Sequence, residues 1–188
     1  MIKNTTQRFG LVSIALHWTM ALAFIGMYLL GDYMVGLDYY DTWYHRAPEL
    51  HKSIGILLVA LMLFRFAWNK SQDRPHDLSN HAWSNRIAHI VHGLFYLIVL
   101  LLLISGYLIS TAKGKGIDVF DLFSIPAVFP ENSERGDSAG IIHEIIASVF
   151  MLLVLAHAAA ALYHHFVVKD FTLKRMLGIF KPEKGDTL

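Results

Sequence analysis

The sequence contains no cysteine, which excludes disulfides, iron–sulfur ligation, thiolate zinc sites and thioether-attached haem together. Any metal or cofactor must then be held by His, Met, carboxylate or backbone groups. Charge is scarce as well. Asp, Glu, Lys and Arg make up 16% of the 188 residues and apolar residues 55%, whereas an average soluble domain carries about 25% charged residues. This is the composition of an integral membrane protein. With a net charge of +1 and no run of Lys or Arg, nothing points to nucleic acid as a partner. There is no internal repeat and no low-complexity tract. The N-terminus also lacks the short apolar core and small-residue cleavage site of a signal peptide, so the first apolar helix is expected to be retained and a single domain to span 1–188.

What is present is four long apolar stretches. The pattern predicts membrane-spanning helices at about 11–31, 49–68, 86–110 and 138–167, an all-α four-helix bundle in lipid. Pro48 suits the first turn of the second helix. The longest connection, residues 111–137, is broken by Gly114, Gly116, Pro126 and Pro130. Its apolar middle, IDVFDLFSIPAVF, is too short to span and is expected at the membrane interface.

Within the fourth stretch, SAGIIHEIIASVFMLLVLAHAAAALYHHFVVK, residues 140–162 hold one carboxylate, Glu144, and two histidines, His143 and His157. Fourteen residues at about 100° each bring both imidazoles within roughly 40° of one helix face, at levels ~21 Å apart. Ionisable side chains inside spans face a bundle interior and mark function. Of the 16 Lys and Arg, eleven fall on the side of the termini: Lys3, Arg8, Arg65, Lys70, Arg74, Arg86, Lys169, Lys174, Arg175, Lys181 and Lys184. Arg46, Lys52, Lys113, Lys115 and Arg135 fall on the other. The positive-inside rule therefore predicts that both termini are cytoplasmic. In that orientation His17 is level with His157 near the inner face, and His51 is level with His143 near the outer. Two opposed imidazole pairs suit the two faces of a planar iron macrocycle. A zinc site would want three or four converging ligands, and an ion or proton path would want carboxylates deep in the spans. His92 lies at nearly the same depth as His17 and His157, so spacing alone does not choose two ligands from the three.

The strings ALHW at His17, HKSIGILL at His51, AHIVHGLFY at His89 and His92, IHE at His143, and HAAAALYHHFVVKDFTLKRML at His157 resemble the bacterial cytochrome b561 family along essentially the whole chain. The resemblance implies a four-helix bacterial inner-membrane protein with two b haems and, as its best-known activity, superoxide oxidation coupled to ubiquinone reduction. Carried over motif by motif, His17 and His157 would ligate the inner haem and His51 and His143 the outer, with His89 and His92 beside a ligand or on the quinone side. A looser resemblance to haem b subunits of respiratory hydrogenases and formate dehydrogenases offers a second reading. In it the chain is a membrane anchor passing electrons between a partner dehydrogenase and quinone.

Arg65, a costly charge in the second span, is expected either to pair with an inner-haem propionate or to snorkel to the cytoplasmic interface. Residues placed to serve a quinone at the inner rim are Arg86, His89, His92, His164, His165 and Lys169. His164 is favoured over His165 because it is seven residues, nearly two turns, beyond His157. Family members that collect superoxide present basic residues outside, where positive potential steers an anion. Here Arg46, Lys52, Lys113 and Lys115 are the candidates for that task. They are outnumbered by Asp32, Asp38, Asp41, Glu49, Asp118, Asp121, Glu131, Glu134 and Asp137, a departure that bears on the identity of the donor.

Overall fold

The structure is a computed structural model that describes residues 1–78 and 82–179. Lys181 and Lys184, counted above toward the inner charge, lie outside the described residues. Among the described residues four helices are long and apolar enough to cross a membrane: α1 (Leu11–Val35), α2 (Arg46–Ser71), α3 (Ala82–Ser110) and α4 (Ser133–Tyr163). Many of their apolar side chains point away from the bundle. Leu22, Leu29, Leu152 and Leu155 are each about 60% exposed or more, an arrangement that lipid stabilises and water would not.

Each helix runs beyond its expected bounds. α1 continues past Gly31 to Val35, so Gly31 is interior to a helix. α2 begins at Arg46, with Pro48 in its first turn and Ala47 fully buried. α3 begins at Ala82, before Arg86. α4 begins at Ser133, five residues before the expected start, because the Asn132 side chain accepts a hydrogen bond from the Arg135 N–H at 2.8 Å. That cap satisfies an otherwise unpaired amide of the first turn.

α1 packs mainly on α2 and α3 on α4, with α2 against α3. The core is small: Met20, Met62, Val99 and Phe150, one from each helix. Phe24 and Phe95 meet Phe150 edge-on at 5.2 and 5.7 Å.

At one end the N-terminal segment, the α2–α3 link and the chain after α4 are tied together. Asn4 Oδ1 accepts from the Gly10 N–H and the Ser13 hydroxyl, and Trp68 Nε1 donates to Ser13 Oγ. The His76 N–H donates to Thr6 O, while Arg175 donates to His76 O. α4 passes into one π-helical turn, His164–Val168, which ends at Lys169 in the left-handed region with φ 61°. A short helix, α5 (Thr172–Met176), follows.

At the other end the segment expected at the interface folds into a hairpin of β1 (Ile117–Val119) and β2 (Phe123–Ile125). Ile117 and Val119 face inward and are buried, while Asp118 faces out. Ser53 of α2 clamps the hairpin, donating to Asp118 O and accepting from the Phe120 N–H.

Candidate functional site

Five of the span histidines, His17, His51, His92, His143 and His157, gather at two levels. At the inner level His17 of α1 and His157 of α4 have ring centres 6.3 Å apart, with planes at 62°. His92 of α3 lies 5.6 Å from the same His157 ring, and Phe95 lies 5.4 Å from it. Arg65 of α2 points into this group, its Nη2 3.1 Å from His17 Nδ1. Among the described residues no carboxylate pairs with it. Trp18 packs edge-on to His17 and donates Nε1–H to Met176 O, tying α5 to the site. At the outer level His51 of α2 and His143 of α4 are again 6.3 Å apart, at 70°. Ser105 Oγ of α3 is 3.0 Å from His143 Nδ1. Phe150, seven residues from each α4 histidine, fills the bundle between the levels.

The spacing of the pairs tests the fit of an iron macrocycle. A metal held end-on between two imidazoles needs ring centres about 6 Å apart, from two metal–nitrogen bonds of about 2 Å and two ring radii of about 1 Å. Both 6.3 Å pairs meet this. The His92–His157 pair, at 5.6 Å, is tighter. Although three imidazoles meet at the inner level, no group of three or more His, Cys, Asp or Glu could hold a bare ion among the described residues. Two-point ligation of a planar group fits the donor set, and tetrahedral zinc does not.

Apart from His92, which packs on His157, the residues expected to serve a quinone fall into two groups at the inner end. Arg86 and His89 line a groove with Asp77, Ala82, Asn85 and Ile90, and His89 Nε2 is 3.4 Å from Asp77 Oδ2. His164 is 2.6 Å from Asp170, Nδ1 to Oδ2, while Asp170 Oδ1 accepts from the Thr172 N–H. Burial pushes the Asp170 carboxyl up, but the Thr172 and His164 hydrogen bonds outweigh it and hold it below the usual range. His165 is turned onto Phe166, its Nδ1 buried without a hydrogen-bond partner among the described residues. Lys169 is exposed.

Outside, Arg46 and Lys52 stand in the first turns of α2, and Lys113 and Lys115 stand just before β1. Lys52 is partly buried and the other three are exposed. Arg135, the fifth outer basic residue, is occupied by the Phe129 ring and Pro130 O.

Four residues the histidine pattern did not indicate belong to this site: Ser105, Gly31, Gly106 and Asp170. A Cβ on Gly31 would lie 3.3 Å from His51 Cε1, and one on Gly106 the same distance from His143 Cε1. These contacts cross between helices, so no spacing within one helix announces them. Asp170 is hidden differently. Six residues from His164, it is brought round by the π turn and the left-handed Lys169 rather than by a regular helical period.

A profile of the prokaryotic cytochrome b561 family matches residues 8–178. The chain is 46% identical over 183 residues to cytochrome b561 homolog 2 of Escherichia coli strain K12, covering 97% of each. It is 31% identical to cytochrome b561 homolog 1 of the same strain, over 91% of this chain and 97% of that one. It is also 27% identical to a Yersinia pestis protein named probable superoxide oxidase CybB, over 91% of this chain and 96% of that one. The chain thus belongs to the prokaryotic cytochrome b561 family, bacterial membrane proteins that transfer electrons through haem b.

Proposed function

We propose that this chain carries electrons across the bacterial inner membrane from periplasmic superoxide to ubiquinone, with His51 and His143 ligating an outer b haem and His17 and His157 an inner one. The observation that carries this reading is the repeated 6.3 Å spacing of two imidazole pairs, set about 21 Å apart along α4. Haem b at each level supplies one-electron redox chemistry. The chain's own residues hold, steer and protonate. Arg46, Lys52, Lys113 and Lys115 draw an anion to an outer face whose net charge is otherwise unfavourable to it. At the inner rim quinone reduction consumes protons. His164, with Nδ1–H donated to Asp170, keeps Nε2 available to pass one from the cytoplasm. His92 and Arg86 offer further hydrogen bonds to a quinone oxygen, and His89, His165 and Lys169 complete the polar rim.

The 27% identity to a protein named probable superoxide oxidase supports superoxide as donor. The test is the purified, haem-loaded chain alone, given enzymatically generated superoxide and a soluble ubiquinone analogue. Quinol should form, and superoxide dismutase should suppress it. The reading falls if no quinol appears.

A second reading rests on the outer face. Tyr39, Tyr40, Tyr44 and His45 form an exposed ring cluster, beside an acidic excess. Such a surface suits docking of a partner dehydrogenase that would supply the electrons. In that case the isolated chain reduces quinone only when the partner is added.

A further inference from the structure

The two outer histidines seat their second ring nitrogen differently. Ser105 is buried, 4% exposed, and its hydroxyl has one proton to give. That proton goes to the helix carbonyls, Leu101 O at 2.8 Å with Leu102 O at 3.2 Å. The 3.0 Å contact with His143 Nδ1 is therefore made through an oxygen lone pair, and Nδ1 carries the hydrogen. The ring is thereby committed to the tautomer whose Nε2 lone pair is free for a metal. One residue further along α3, Gly106 closes on the same ring. A Cβ there would stand 3.3 Å from Cε1 and 3.6 Å from Nδ1, so the imidazole would have to give by a few tenths of an ångström. Ser105, with the Leu102 carbonyl that also meets His143, thus holds the tautomer, and Gly106 the rotation, of this ring.

On the opposite side Gly31 of α1 does half of this for His51, at 3.3 Å from Cε1 and 3.8 Å from Nδ1. Among the described residues there is no hydroxyl counterpart, and His51 Nδ1 is buried with no hydrogen-bond partner.

We propose that Gly31 and the Ser105–Gly106 pair are seats for the outer axial imidazoles, and that Ser105 makes His143 the stronger electron donor of the two and so lowers the potential of the outer haem. Accepting the Nδ1–H of a ligating imidazole raises the ligand's basicity, and a more basic ligand stabilises ferric over ferrous iron. A lower potential at the outer level favours passing the electron inward. Ser105, Gly106 and Gly31 are positioning residues, acting through His143 and His51, and the proposal rests on the reading that these two histidines ligate the outer haem.

The experiment is a spectroelectrochemical titration of the haem-loaded protein with the inner haem as internal reference. Ser105→Ala should shift the outer haem's reduced-to-oxidised ratio about tenfold toward reduced, ~59 mV upward for one electron. The inner haem should not move. Ser105→Thr, which keeps the hydroxyl, should restore the wild-type titration. Gly31→Ala and Gly106→Ala should each alter the outer low-spin electron paramagnetic resonance signal and spare the inner one. An outer titration in Ser105→Ala that coincides with wild type, or a Thr variant that behaves like Ala, overturns the proposal. His143→Ala separates the two failures. If it retains a low-spin outer haem, the ligand reading itself is wrong. If it loses that haem while Ser105→Ala changes nothing, only the seat fails.

Discussion

His157 has two imidazole neighbours, and ring distance distinguishes the one that would share the proposed inner haem with it. His17 stands at 6.3 Å and His92 at 5.6 Å. On that spacing His17→Ala and His157→Ala should each abolish the inner low-spin signal, whereas His92→Ala should retain it and slow reoxidation by quinone. The reduced-minus-oxidised spectrum checks this, and a His17→Ala protein that stays low-spin would transfer the ligand role to His92. Arg65 bears on the same ring. A guanidinium only donates, so in its 3.1 Å contact His17 Nδ1 is the acceptor. Ligation through Nε2 requires a proton on Nδ1, and two donors then part. The freed cation needs an anion, and an inner-haem propionate is the group the site would supply. Arg65→Gln should therefore lower the inner potential by about 59 mV, a cost of ~1.4 kcal/mol to the reduced form. An unchanged potential would mean that Arg65 serves the cytoplasmic interface instead.

Among the elements, the end of α4 differs most from a plain span. The π turn His164–Val168 and left-handed Lys169 fold the chain back so that Asp170 meets His164 and accepts from the Thr172 N–H at the start of α5. π turns inserted in α-helices are frequent at functional sites. Because the folded-state pKa of Asp170 is depressed below an unfolded value of about 3.9, its contribution is present above about pH 4 and lost as pH falls through the folded value. Asp170→Ala should raise amide exchange across Thr172–Met176 at least about tenfold at pH 7, from loss of a charge-assisted bond worth roughly 1.5–3 kcal/mol. Wild type and variant should converge in acid. Equal exchange at pH 7 would show that Trp18, bonded to Met176 O, holds α5 unaided.

For the whole molecule, the tie between the N-terminal segment, the α2–α3 link and the segment around α5 places these parts at one end. The hairpin and the ring cluster of Tyr39, Tyr40, Tyr44 and His45 between α1 and α2 lie at the other. The excess of Lys and Arg at the first end predicts that it is cytoplasmic. A green fluorescent reporter fused after Leu188 should fluoresce, and alkaline phosphatase fused there should be inactive. The opposite outcome would exchange the inner and outer assignments, and with them the side from which electrons arrive.

Four spans and two levels of histidine were legible from composition and helical period alone. Twenty or more apolar residues in a row have few soluble alternatives, and fourteen residues return to nearly the same helix face. The start of α4 was less so. Asn132 followed by Glu134 is a capping signal, but it stood in a run of breakers that reads equally well as loop. The β1–β2 hairpin carried only the three-residue alternation Ile117, Asp118, Val119, too short to separate from an interfacial segment. Contacts between helices were not legible at all. Gly31 and Gly106 look like ordinary span glycines until each faces an imidazole at 3.3 Å, and Ser105 looks like one more small residue until its oxygen meets His143. Periodicity assigns each side chain a face and a depth on its own helix. Which partner stands opposite depends on how neighbouring helices are rotated and staggered, and that is settled only when all four pack together.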